Sequence, residues 1–467
     1  MNTPLRATAT LMLAVSCALL PCAARAANSH TAMTVRLAAI PAPALALAEF
    51  WVPTQYVDET PPTALNRFGY SVRMAGDLLV VGAPYANNDP GPTTASGRAF
   101  IYRLVGGVWQ FEKLLTAPTP QTDAHFGLAV AVSTLTVPLV VIGEPDRNDV
   151  NGADVGYVWI FQFVNGAWHT EVIVNSKAGD RYGAALDVAG DHLAVGMPGW
   201  DNSPMPEDQD VGIVDRRARC NSNPMTTTWC NGGAYYVSPL HTGAHFGSAL
   251  AIAGEFVIVG APNDSPNNLA GAGSAWIDNL LPTGPLAAPI KLTDPTPATH
   301  ESFGASVAGN GAVFAVGSPI DDEPAGAANS GAVHIFALSG NTAPFEATLR
   351  SPAPQSGASF GYAIAMSSNR VVVGEPFRAV FFFGSTAADA GAAHVFRRFF
   401  VPSGYTWANV TTIYNYFGSD ELVGAAVETL DGTQFAAGAR NRNVDAVPAA
   451  GEVIIYRPDP LFADGFD

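Results

Sequence analysis

The feature that most constrains this chain is a unit that opens with aromatic-Gly, runs through an apolar stretch and reaches Gly-x-Pro about 14 residues later, then begins again. The openings are Phe68-Gly69, Phe126-Gly127, Tyr182-Gly183, Phe246-Gly247, Phe303-Gly304, Phe360-Gly361 and a worn seventh copy, Val423-Gly424. They lead to Gly82-Ala83-Pro84, Gly143-Glu144-Pro145, Gly196-Met197-Pro198, Gly260-Ala261-Pro262, Gly317-Ser318-Pro319, Gly374-Glu375-Pro376 and, without the proline, Gly438-Ala439-Arg440. Successive openings recur with a period of roughly 60 residues, too long for most helical or leucine-rich repeats and suited to four short strands with their turns.

Each copy reads as strands A to D. Strand A alternates, as in GYSVRMA after Phe68. A turn such as Gly76-Asp77 follows, with glycine first as a two-residue hairpin requires. Strand B is a near-continuous apolar run (LLVVGAP, FVIVGAP, RVVVGEP), which suits a strand covered on both faces. Strand C is a Gly-x-aromatic stretch such as GRAFIYRL from Gly97, and strand D, such as WQFEKLLTAP from Trp109, carries the charges of an exposed edge. Gly and Pro abundance (46 and 36 residues) with only 13% charged residues agrees with many short strands and turns. The expected fold is all-β, a seven-bladed propeller of four-stranded antiparallel blades. Residues 51–67 align with a D strand and lead-in that have no A, B or C strand before them, while the last copy stops after its C strand. The N-terminal strand is therefore expected to complete blade seven and close the ring.

The Phe-Gly, apolar strand and Gly-Ala-Pro pattern resembles the FG-GAP repeat of integrin α subunits and of bacterial secreted or surface proteins, over nearly all of residues 51–458. The resemblance implies an extracellular propeller in which the glycines allow close packing and the aromatic fills the space between blades. Many members also carry a D-x-[DN]-x-DG-like calcium loop between Phe-Gly and Gly-Ala-Pro. Here that interval is a bare turn, too short to wrap an ion that takes about six to eight oxygens, so calcium is not carried over from the family and no cofactor is expected. The nearest substitute, Asp146, Asn148, Asp149, Asn151 and Asp154, reads more simply as a solvated turn.

Residues 1–26 read as a signal peptide, with a basic start at Arg6, an apolar run from Leu11 to Leu20 and Ala24-Arg25-Ala26 as the cleavage signal. Residues 27–45 form an Ala/Pro-rich lead-in, 46–458 the propeller, and 459–467 a short aromatic-acidic tail. The expected location is secreted, periplasmic or cell-surface. A net charge of −17 disfavours nucleic acid, and no later apolar run is long enough for a membrane span. Cys220 and Cys230, the two cysteines beyond the leader, are expected to form a disulfide.

Strand parity puts the B–C and D–A loops on one face, where variable recognition can sit on a fixed scaffold. Measured from the proline position to the strand C glycine, the B–C interval is short in every copy except the third. There it stretches from Pro198 to Gly233 when strand C is taken to open at that glycine. This apparent insertion holds Trp200, Arg216, Arg217, Arg219, Trp229 and the cysteine pair, and these residues are the sequence's candidate ligand anchors. His125 and His245 precede Phe-Gly at equivalent places, which suggests a shared structural hydrogen bond. No hydrolase elbow, zinc-protease or phosphate-loop motif occurs. The leading expectation is an adhesion or interaction module for an extracellular protein or polysaccharide. The alternative is a secreted polysaccharide hydrolase or lyase with carboxylates near the ring axis.

Overall fold

The computed structural model describes residues 49–459 apart from 88–93, 175–176, 203–208, 221–228, 236–239, 282, 323–326, 383, 403 and 415–417. The leader, the lead-in and residues 460–467 of the tail lie outside them. Each repeat forms one four-stranded antiparallel sheet with its strands in the order A-B-C-D, and there are seven such sheets. In blade one these are Ser71–Ala75, Leu78–Ala83, Arg98–Val105 and Val108–Leu115. Strand B is buried along its whole length in blades one, two, four, five and seven. Gly76, Gly190 and Gly254 open the A–B turns with the positive φ that such a turn requires. Among the described residues the only helix is a single 3₁₀ turn, Pro266–Asn268, and no helix is long and apolar enough to cross a membrane.

The two glycines of the repeat act together at the junction between blades. A Cβ placed on Gly82 of blade one would lie 2.1 Å from the carbonyl oxygen of Gly127, the Phe-Gly glycine of blade two. The same approach recurs from Gly143 to Gly183, Gly196 to Gly247, Gly260 to Gly304, Gly317 to Gly361 and Gly374 to Gly424. Gly438 meets Gly69 at 2.1 Å, which brings blade seven onto blade one by the same contact. The aromatic before each second glycine is buried against strand C of its own blade, as Phe126 on Phe161, Phe303 on Phe336 and Phe360 on Phe396. The N-terminal strand completes blade seven: Trp51–Val57 pairs with Glu452–Pro458, from Trp51 opposite Pro458 to Val57 opposite Val453. Trp51 packs on Phe435, and Glu49 just before it reaches Arg370 and Arg397 of blade six.

Blade three departs from the expected assignment. Its strand C is Ile213–Arg219, opened by Gly212, and Trp229–Tyr235 is strand D. Its B–C interval therefore ends at Gly212 and is unexceptional. The extra length lies between strands C and D, on the face opposite the B–C loops, where a disulfide joins Cys220 to Cys230. The physical reason is the aromatic of this blade. It is Tyr182, fully buried, and its hydroxyl donates to Asp215 Oδ2 at 2.9 Å. Asp215 and its partner Arg217 stand with Arg216 and Arg219 in one seven-residue strand C, so the strand lacks an apolar signature.

Candidate ligand site at the mouth of the ring

The residues singled out in blade three do not converge on the B–C face. Arg216 Nη1 is 2.7 Å from the Asn279 carbonyl and Arg217 Nε is 2.7 Å from Asp215. Arg219 pairs with Asp191 and lies over the ring of Trp229, which is buried. Trp200 alone stands in the B–C loop, packed against the core of blades two and three. Arg217, Arg219 and Trp229 brace strand C within blade three, and Arg216 ties that blade to blade four.

The B–C and D–A face carries another cluster around the axis. In each repeat the residue before aromatic-Gly takes positive φ, among them Arg67, His125, Arg181 and His245. In blades one, two and four it meets the residue that follows Gly-x-Pro. His125 meets Asp146 at 2.8 Å and His245 meets Asn263 at 2.8 Å, which is the shared structural bond expected of the two histidines. In blade one the same pair is Arg67 and Tyr85, with the guanidinium 4.3 Å from the ring centroid. Tyr85 touches His125 (4.9 Å between centroids) and Tyr70 (5.8 Å), the residue after Phe68-Gly69. Asp146 also binds Arg181 at 2.8 Å. Burial pushes the Asp146 carboxyl upward, but His125 and Arg181 outweigh it and hold it below the usual range.

Arg440, which replaces the proline of the seventh repeat, completes this arc. Its guanidinium lies 4.8 Å from the Tyr70 ring and 5.5 Å from the ring of Tyr362, whose hydroxyl accepts from Nη2 at 3.3 Å. Tyr362 in turn packs on Phe377 at 5.7 Å. The contacts run without interruption from Phe377 in blade six to Arg181 in blade three. All these side chains are at least partly exposed, and among the described residues neither Arg67 nor Arg440 pairs with a carboxylate. Burial raises the pKa of the Tyr70 phenol, with Arg440 acting against it, so the ring stays neutral and able to donate. Beside the arc, the B–C loop of blade six folds into a small hairpin, Val380–Phe382 with Ser385–Ala387, and Phe381 on it is 71% exposed.

Three residues further along strand A, about 10 Å below Tyr70, the register brings equivalent positions into one layer. These are Arg73, Ala131, Asp187, Ala251, Ala308, Ala365 and Glu428. Alanine at four of the seven places keeps the layer narrow-walled and leaves three charges to face one another across the axis. Arg73 Nη1 lies 3.4 Å from Glu428 Oε2, and Asp187 accepts from the backbone N–H of Ile252 in the next blade at 2.8 Å. Burial raises Glu428 to about 7, against the pull of Arg73. Asp187 is raised by the same cause. Ionising Glu428 is therefore costlier in the folded state than in the unfolded one. Stability from this group is lost as pH rises from the ordinary carboxylate range through about 7. Glu428→Gln is expected to stabilise the protein at pH 8 by at most about 3 kcal/mol, with the gain shrinking toward zero near pH 4. Urea denaturation at the two pH values measures it.

Three stretches of the chain, residues 63–102, 240–277 and 289–336, match the FG-GAP repeat. They cover the lead-in through strand C of blades one, four and five. The chain is a seven-bladed propeller that carries FG-GAP repeats. No curated protein matches it. One similar solved structure is described as the crystal structure of a mitotic checkpoint complex: 10% identity, TM-score 0.48, covering 93% of this chain and 98% of that one. Another is a functionally unknown protein from Desulfotomaculum acetoxidans DSM 771, with 11% identity, TM-score 0.43, and coverage of 75% and 87%. Within this FG-GAP propeller the acids of the blade-two B–C loop are turned onto separate partners. Asp146 meets His125 and Arg181, while Asp149 accepts from Asn151. The mouth arc was missed in the sequence, although the loss of proline at Arg440 was a visible signal.

Proposed function

We propose that the chain is an exported binding module, directed out of the cell by residues 1–26, that takes a carboxylated polysaccharide at the mouth of the ring. The observation that carries this reading is the pair Arg67 and Arg440. Each lies over tyrosine rings with no carboxylate partner among the described residues, in a chain of net charge −17. A guanidinium stacked on a ring keeps its in-plane fork of N–H donors available, and that fork matches a carboxylate with two parallel hydrogen bonds. The flanking tyrosines offer ring faces to a sugar and hydroxyls to its oxygens. A protein partner calls for a broader apolar centre depleted in charge. The arc is composed of tyrosines and cations, and a glycan bearing carboxylates suits it better.

The test is binding of the purified chain to polygalacturonate, with neutral dextran as control. Saturable binding that weakens with salt and falls about 30-fold in Arg440→Ala, roughly 2 kcal/mol, is expected. Binding of polyglutamate in preference to both polysaccharides would transfer the site to a protein ligand.

The axial carboxylates favour a second reading as a hydrolase or lyase, because Glu428, raised to about 7, has the acidity of a general acid at neutral pH. Its place below the mouth, beside Arg73, argues for the binding module. Release of shortened chains from polygalacturonate, abolished in Glu428→Gln, would establish the enzyme.

A further inference from the structure

Blade five buries polar atoms that its neighbours do not explain. At the third position of strand C, blade six has His394 and blade five has His334. In blade six the residue between glycine and proline is Glu375, whose carboxylate meets His394 Nε2 at 2.7 Å and is braced by Arg378 and Ser351. That histidine is satisfied. In blade five the equivalent of Glu375 is the shorter Ser318, and two carboxylates come in from separate segments. Asp294 belongs to the lead-in before Phe303, and Asp321 to the B–C loop.

His334 Nε2 lies 2.9 Å from Asp294 Oδ2 and 3.8 Å from Asp321 Oδ2. Yet none of His334 Nε2, Asp294 Oδ2 and Ser318 Oγ makes an aligned hydrogen bond at this depth, the approach of His334 to Asp294 being that of an ion pair. The four residues are at most 4% exposed. Polar atoms left without aligned partners at this depth are destabilising, and His334 Nε2 and Asp294 Oδ2, facing each other at 2.9 Å, call for a common partner. His334 Nδ1 faces Thr348 Oγ1 at 3.3 Å, which fixes the ring and suits a bare Nε2 that coordinates. Asp294 Oδ1 is held by the Thr296 backbone N–H at 2.7 Å, leaving Oδ2 to the cluster. Arg350 Nη2, 3.4 Å from Asp321 Oδ2, stands behind that carboxylate as an outer partner.

We infer that blade five holds a buried divalent transition ion of the zinc class, ligated by His334, Asp294 and Asp321, with Ser318 beside it. The three ligand atoms lie within 4.8 Å of one another. The two separations from Nε2 straddle the edge of about 3.4 Å that a tetrahedron of zinc–ligand bonds requires. A nitrogen donor among carboxylates selects zinc-class ions over calcium or magnesium, which take oxygen alone. The role is structural: the ion ties the lead-in and the B–C loop of blade five to strand C, and so stiffens part of the face that carries the mouth.

The experiment is refolding of the full chain from guanidinium and chelator with one equivalent of Zn²⁺, Co²⁺ or Ca²⁺, followed by gel filtration, metal analysis and thermal denaturation. One Zn²⁺ per chain, a Tm several degrees above the metal-free chain, and a Co²⁺ form with the visible spectrum of a low-symmetry site are expected. Asp294→Asn and Asp321→Asn should lose the ion. The combined variant Asp294→Ser, Ser318→Glu and Asp321→Arg copies the arrangement that already folds in blade six, where Ser351, Glu375 and Arg378 hold those places, and should give a stable protein that takes none. His394→Gln should leave binding intact. Failure of the wild type to retain Zn²⁺, preference for Ca²⁺, or retention by the combined variant would each overturn the inference.

Discussion

Gly143→Ala is expected to lower stability by about 3 kcal/mol, because overpacking a site that cannot relax sits at the upper end of such penalties. The added Cβ would lie 2.1 Å from the Gly183 carbonyl oxygen, a backbone atom fixed by its own blade. Gly143 does not have positive φ, so the loss comes from contact alone. Gly166 makes the comparison. It has φ of 78°, and a Cβ there meets nothing within 4 Å. Gly166→Ala should cost only about 1 kcal/mol from backbone strain. Urea denaturation of the two variants separates the effects. Equal losses would mean that the junction glycines serve the local backbone and not the approach of blades.

Removal of residues 49–57 is expected to have the other large effect. The deletion exposes the edge of Glu452–Pro458, removes the packing of Trp51 on Phe435 and leaves Arg370 and Arg397 without Glu49. Trp51→Ala alone should cost about 3–5 kcal/mol, the usual range for truncating a buried tryptophan. The deletion should lower Tm further and make the chain prone to associate through its open edge. Because the clasp is held by pairing and packing, a synthetic peptide of residues 49–59 should restore Tm toward the intact value. An unchanged melting curve after deletion would show that blade seven closes without its outer strand.

The repeat, the strand order and the ring closure were legible because they depend on what each position excludes. Glycine stands where blades meet, an aromatic where a gap must be filled, and an apolar run where strand B is covered on both sides. Blade three was misread for a related reason. Exchanging phenylalanine for Tyr182 places a hydroxyl in the core, and strand C answers with Asp215 and Arg217, so the apolar pattern that marks the strand disappears. Gly212, at the usual distance beyond Pro198, was the remaining signal. The axial layer was illegible, since Arg73, Asp187 and Glu428 are far apart in the chain and only the sheet registers align them. The mouth required the same alignment. Arg440 was visible as a missing proline, but its chemistry depends on Tyr70 and Tyr362 arriving from the two flanking blades.

The most direct measurement of the central claim is hydroxyl-radical footprinting of the chain with and without polygalacturonate, read by mass spectrometry at individual side chains. The mouth account predicts protection of Tyr70, Tyr85, Tyr362 and Phe377, with Phe400 and Tyr405, on the outer strands of blade six, unchanged. Protection confined to the strands around Cys220 and Cys230, with the four mouth aromatics oxidised as before, would contradict it and return the binding site to blade three.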